Sequence, residues 1–320
     1  MKHNRFGRTG LQVPAITFGG GWVGGVLIHG SEEEANAALD RAWAAGIDWI
    51  DTAASYGNGV SEQVIGRWLA GRTADQRPRF STKFRVEPKM GDFEGQVRRS
   101  IEQSLGRLAA DRADVIILHN QLGPAHGMTV ADALAVADVM EKLRDEGICG
   151  HIGLTALGDV PAVTGTVGSG RFDIAQVYYN MLNPTAAEGR SPWNSTDFDG
   201  LLKVCAAHDM GVMGIRIFAA GHLASDVRHG REIPITDASD DAAEERRAQA
   251  IWERLQPEDG TPAQVALRFG LACPLLSTIV VGLGELDHLE QAIAAANAGP
   301  MPQDRLAAIA AAWSDPAFVA

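Results

Sequence analysis

The sequence predicts an α/β chain folded as a (β/α)8 TIM barrel, with an N-terminal hairpin and long loops at the C-terminal face. Three observations lead there. Short apolar runs alternate with helical repeats, and the alternation occurs eight times along 320 residues. The runs are apolar at consecutive positions, as parallel strands covered by helices on the outside require. No linker-like or low-complexity stretch divides the chain, so 1–320 reads as one domain, with a two-domain Rossmann arrangement as the alternative.

The elements follow in order. A hairpin turns at 8-RTG-10, and 15–18 is the first barrel strand. Ser31 then opens a helix. Glu34, three residues on, completes a capping box, and Ala35, Ala38, Leu39, Ala42 and Trp43 keep helical spacing until Gly46 ends it. Strand 47–51 leads through the turn residues 57-GNG-59 to a helix over 61–69. Strand 79–83 precedes a helix over 92–108, and strand 114–119 one over 130–146. Strand 151–155 precedes a helix from 161. Strand 173–179 leads by a long loop to a helix over 199–208. Strand 211–217 leads by another to helices over 241–255 and 262–272. The last strand, 277–282, is followed by helices over 286–296 and 304–312.

Composition narrows the partners. Asp and Glu outnumber Lys and Arg by 40 to 28, a net charge of −12. Nucleic acids and anionic membranes need clustered cations, so neither is expected, and a small molecule is. No window of about 20 residues is continuously apolar. Cys149, Cys205 and Cys273 are few, odd in number and widely spaced, which fits neither a disulfide framework nor a metal site. The opening MKHNRFGRTG has no apolar run of a secretory signal, so a cytoplasmic location is expected. Self-association is left open.

Barrels of this class place their sites at the C-terminal ends of the strands. Asp51 ends the second strand and Tyr56 follows it; Lys83 ends the third and His119 the fourth. Singly, each has a plain reading: a cap, a rim aromatic, a solvated cation, a hydrogen-bonded core histidine. Together they converge on one mouth from three consecutive strands. Free tyrosine has a pKa of about 10 and is a poor acid at neutral pH. A nearby ammonium favours its phenolate, a carboxylate keeps that ammonium charged, and a histidine can share the proton. Such a device suits carbonyl–alcohol interconversion, with the hydride carried by a cofactor.

The motifs DTAxxYG (51–57), STK (81–83) and ILH (117–119), on this strand rhythm, resemble the aldo-keto reductase superfamily. So do 5-RFGRTGLQVPAITFG-19, 97-VRRSIEQSLGRL-108 and 140-MEKLRDEGICGHIGLT-155. The resemblance implies that Tyr56 is the general acid/base, that Lys83 and Asp51 tune it, and that His119 completes the set. It also implies an extended nicotinamide cofactor across the mouth. Gly20 and Gly21 would pass close to it, and Thr155 and Gln176 would hold the nicotinamide amide. Ala156 replaces the family's Asn there, with Asn180 as a compensating candidate. Ile215 would give an aliphatic contact where many members stack an aromatic. Arg216, Phe218, Ala219, Gly221 and Leu223 would wrap the pyrophosphate. Gly282, Gly284, His288 and Gln291 belong to the loop that decides NAD against NADP. A 2′-phosphate needs charge-assisted donors, and this loop offers one histidine beside Glu285 and Asp287, so NAD is expected and NADP left as the alternative.

The stretches 19-GGGWVGG-25, 178-YYN-180 and 211-GVMGIRIFAAG-221 look like the subset acting on L-fucose, D-threo-aldoses and L-galactose, together with the pyridoxal 4-dehydrogenases. That resemblance implies oxidation of an aldose, pyridoxal or another carbonyl or hemiacetal, with Trp22, Asn120 and Trp193 contacting the substrate. An NADPH-dependent aldehyde or ketone reductase and a non-catalytic regulatory barrel are the alternatives. Gly19, Gly21 and Gly24 also match the Rossmann pattern G-x-G-x-x-G. A Rossmann turn runs straight into a helix, whereas 26-VLIHG-30 intervenes before Ser31, so these glycines are read as the first loop over the mouth.

Overall fold

The computed structural model describes residues 1–189, 196–224 and 240–319. A hairpin of β1 (His3–Arg5) and β2 (Gln12–Pro14) pairs antiparallel, His3 opposite Pro14. Eight strands follow: β3 (Ile16–Gly19), β4 (Trp49–Asp51), β5 (Arg79–Phe84), β6 (Ala113–Leu118), β7 (Cys149–Thr155), β8 (Ile174–Tyr178), β9 (Gly211–Ile215) and β10 (Thr278–Gly282). They close into a barrel in the order β10-β3-β4-β5-β6-β7-β8-β9. Every barrel pair is parallel.

The helices Glu32–Ala44, Val60–Ala70, Phe93–Leu108, Val130–Asp145, Val160–Gly168 and Leu201–Ala207 return the chain between strands. Asp241–Trp252 and Pro262–Leu271 lie between β9 and β10, and Leu286–Ala298 and Gln303–Ala312 follow β10. Starts were legible where a side chain satisfies the free N–H groups of the first turn. Ser31 accepts from Glu34 N while Glu34 accepts from Ser31 N. The short helices Val26–His29, Thr185–Glu188 and Pro316–Val319 were not expected. Each is a single turn, too short to carry an amphipathic repeat.

The hairpin closes the far end of the barrel. Phe6 is fully buried and meets Trp49 edge-on, ring centroids 5.2 Å apart. Val115, Ile117, Ile174 and Met213 complete this inner cluster. Gly211 must be glycine, because a Cβ there would lie 2.5 Å from the Phe6 ring. With that end plugged, the C-terminal mouth is left as the open end among the described residues.

Candidate active site

Strand alternation sets the site. Successive side chains of a strand point to opposite faces, so Ser81 and Lys83 on β5 face the barrel interior while Thr82 faces the helices. Asp51 lies opposite Ser81 in the β4–β5 register. Ser81 Oγ donates to Asp51 Oδ1 at 2.7 Å, and Gln176 Nε2 donates to the same oxygen at 2.8 Å. Lys83 Nζ donates to Asp51 Oδ2 at 2.6 Å, to the Thr52 carbonyl at 2.8 Å and to Tyr56 Oη at 3.0 Å. All three ammonium hydrogens are therefore used. Burial pushes the Lys83 pKa down, but Asp51 and then Tyr56 outweigh it, and the net shift is upward. The ammonium stays charged at neutral pH although it is out of water, and breaking such a buried pair is costly.

The loop after β4 is stitched to β5 by Thr52 N to Ser81 O and Ala54 N to Lys83 O, at 2.9 and 3.1 Å. Tyr56 is thereby held over the end of β5. His119 begins the loop after β6, its N–H bonded to Phe84 O at 2.8 Å. Its ring stands nearly perpendicular to Tyr56, centroids 5.9 Å apart. Burial first, then Lys83, Arg85 and Arg216, hold its pKa well below the usual histidine value, so the ring is neutral at pH 7. Its Nδ1 is buried and has no hydrogen-bond partner.

These groups open into a cavity of about 660 Å³ running from Tyr56 and His119 to His288 and Gln291. Of the residues expected at a ligand, Gly21, Trp22, Thr155, Gln176, Ile215 and Arg216 line it. So do Phe218, Gly221, Gly282, Gly284, His288 and Gln291. Thr155 Oγ1 donates to Gln176 Oε1 at 3.4 Å. Trp22 is 40% exposed and packs edge-on against His29.

Several expected contacts are placed elsewhere. Gly20 lies behind the wall, its N–H on Asp51 O, and a Cβ there would lie 2.6 Å from Ser61 Oγ. Ala219 and Leu223 are buried in the core, and Ala220 takes the lining position. Asn120 does not line the cavity: its amide clasps Val86, accepting from N at 3.0 Å and donating to O at 2.8 Å. Asn180 is not available to replace the missing Asn at 156, since it donates to Arg216 O and accepts from Leu182 N and Asn183 N. Arg216 itself stays in the lining, where burial lowers its pKa from the usual arginine value. Trp193 lies outside the described residues.

Other lining residues were missed, chiefly Arg85 and Gln121. Each is two residues beyond a catalytic candidate, at the start of a loop, which is the signal that could have found them. The demand for glycine at 24 also has a local cause. A Cβ there would lie 2.3 Å from Leu283 N, so the first loop packs backbone to backbone on the end of β10.

The residues fit an extended dinucleotide. The cavity is long, its wall includes the glycines 282 and 284, and an unpartnered histidine nitrogen lies at its deep end. At the far end, His288 Nδ1 accepts from Gly284 N at 3.3 Å and Nε2 lies 3.3 Å from Glu285. Gln291 is held by Asp287 at 2.6 Å. Among the described residues no Lys or Arg lines this end.

Comparison with known proteins agrees with the geometry. The Aldo/keto reductase family model matches residues 15–314. D-threo-aldose 1-dehydrogenase from a Pseudomonas species is 28% identical over 308 residues, covering 85% of this chain and 86% of its own. L-galactose dehydrogenase from Arabidopsis thaliana is 27% identical over 303 residues, covering 90% and 86%. The solved holo form of aldo-keto reductase AKR11C1 from Bacillus halodurans has a TM-score of 0.76 over 98% of this chain and 96% of its own. Its 21% identity makes that a likeness of fold. With a matching model over nearly its whole length, the chain belongs to the aldo-keto reductase family and is an oxidoreductase.

Proposed function

We propose that the chain is an NAD-dependent dehydrogenase that oxidises a sugar or sugar-like hemiacetal to a lactone. The observation that carries the catalytic part is Lys83 Nζ, bonded at once to Asp51, Thr52 O and Tyr56 Oη at the floor of the cavity. A nicotinamide cofactor, when bound, accepts the hydride that no side chain can take. Thr155, Gln176 and Ile215 would hold its reactive end; Phe218, Gly221, Gly282, Gly284, His288 and Gln291 would hold the rest.

In this reading Tyr56 receives the substrate hydroxyl proton as the carbonyl forms. Lys83 favours the phenolate that takes it, because its hydrogen bond and charge are worth more to an anion than to a phenol. Asp51 keeps Lys83 charged and fixed. His119, neutral and set across from Tyr56, orients the reacting oxygen without competing for the proton. Preorganised charge in a buried site needs no rearrangement during reaction.

NAD is favoured because Glu285 and Asp287 stand beside His288 and Gln291, and their carboxylates repel a 2′-phosphate. The sugar is favoured by the names of the two curated relatives. An NADPH-dependent aldehyde reductase is the second reading, because the same proton device runs in reverse. A panel of aldoses, pyridoxal and simple aldehydes, assayed with both cofactors in both directions, separates the two. Higher kcat/KM for aldose with NAD⁺ is expected; higher kcat/KM for aldehyde with NADPH would replace this reading with the second.

A further inference from the structure

Arg85 is an exposed cation at the rim of the cavity. It is the first residue after β5, and it lines the cavity with Tyr56, His119 and Gln121. Its Nε donates to the His119 carbonyl at 3.2 Å, which tethers the guanidinium beside the catalytic histidine. Among the described residues no carboxylate pairs with it. Arg41, Arg98 and Arg171 by contrast each hold a glutamate.

Its place in the barrel separates it from the expected phosphate-binding loops, which follow β9 and β10. In the closed order β10-β3-β4-β5-β6-β7-β8-β9, β5 lies directly across from β9. Arg216, just after β9, presents a second guanidinium to the same cavity from the opposite wall. Lys83 and Asp51 neutralise each other between them. The reacting end of the cavity is thus flanked by positive charge in a molecule of net charge −12.

We propose that Arg85 selects substrates carrying an oxyanion, a carboxylate or a phosphate, on the same molecule as the reacting hydroxyl or carbonyl. The substrate class is then an anionic sugar or hydroxy-aldehyde rather than a neutral one. A guanidinium fork tethered at one nitrogen keeps its terminal N–H groups for a planar or tetrahedral oxyanion, and Gln121 beside it adds a neutral donor. This rests on the reading above that reaction occurs at Tyr56 with the cofactor on the β9–β10 side.

The test uses matched substrates. Galactose, galacturonate and galactose 6-phosphate are compared as NAD⁺ substrates, and benzaldehyde and 4-carboxybenzaldehyde as substrates for reduction. The wild type should favour an anionic member by at least about tenfold in kcat/KM at low salt, and the favoured arm identifies carboxylate or phosphate. Arg85→Gln should raise KM for that member by roughly ten- to a hundredfold, the range of one charge-assisted contact, with a much smaller effect on the neutral member and on the cofactor KM. Arg85→Lys should restore part of the preference. A preference confined to the aldehyde pair upholds the inference while removing the hemiacetal reading. No charge preference in either direction, absence of turnover of every member included, overturns the inference. So does an equal loss on neutral and anionic members, or a loss located in the cofactor KM.

Discussion

The β4–β6 side of the mouth and the β9–β10 side are built by different means. On the first, side chains projecting from strands do the work. Asp51, Ser81 and Lys83 are fixed by strand register, and the loop bearing Tyr56 is sewn to β5 by backbone hydrogen bonds. On the second, backbone and small residues form the wall: Gly282, Gly284, Gly221 and Ala220, with Gly24 pressed against Leu283. Chemistry demands fixed side chains; an extended ligand demands room and backbone N–H groups. The charge states differ as well. Lys83 stays charged and His119 neutral around pH 7, whereas Glu244, behind Tyr178 and His222 near β9, has its pKa pushed up to about 7 by burial.

The β4–β6 side is most sensitive at Lys83. Lys83→Met should lower kcat by about 10³-fold or more and leave the Asp51 carboxylate buried without its cation. Loss of one partner of a buried pair costs on the order of 3–5 kcal/mol. Steady-state kinetics and a thermal melt read both effects; a variant that kept its melting temperature would show that the pair contributes little to the fold.

On the other side, Gly24→Ala should act on binding. The new Cβ would meet backbone at Leu283, which no side-chain rotation relieves. The first loop must then move off β10, and KM for NAD⁺ should rise on the order of tenfold, kcat changing less. A loss confined to kcat would place Gly24 in the chemistry instead.

The smallest effect is the pH response near β9. Glu244 faces Arg247, Asp240, Asp241, His222 and Tyr178. Its folded pKa of about 7 lies above the usual glutamate value of 4.5, so the folded state holds the proton more tightly. Stability should therefore fall as pH rises from about 4.5 to 7 and level off above that. Glu244→Gln should flatten that slope and stabilise the protein at pH 8 by about 3 kcal/mol. Denaturant melts across that range check it, and an unchanged slope would remove Glu244 as its source.

The same contrast explains what the sequence disclosed. Eight strand–helix units were legible because each strand is a short apolar run followed by apolar residues at helical spacing, with the first helix also marked by its cap at Ser31. Asp51, Tyr56, Lys83 and His119 were legible because their types are unusual at strand ends, and the structure brings all four together. Around the cofactor side, letters alone do not say which backbone faces the cavity. Gly20 and Leu223 therefore turned out to lie behind it, while Ala220 lines it. Asn120 reads as a substrate contact because it follows His119, and in the structure its amide is engaged with Val86.

The most direct test of the division between the two sides is Tyr56→Phe, which removes one oxygen and leaves the ring. With the best substrate of the panel, kcat should fall by about 10²- to 10⁴-fold, while the Kd for NAD⁺, read by fluorescence titration, stays within about twofold and the melting temperature is unchanged. A variant that retained near-full kcat, or lost cofactor affinity in step with activity, would contradict the assignment of chemistry to Tyr56 and of binding to the β9–β10 side.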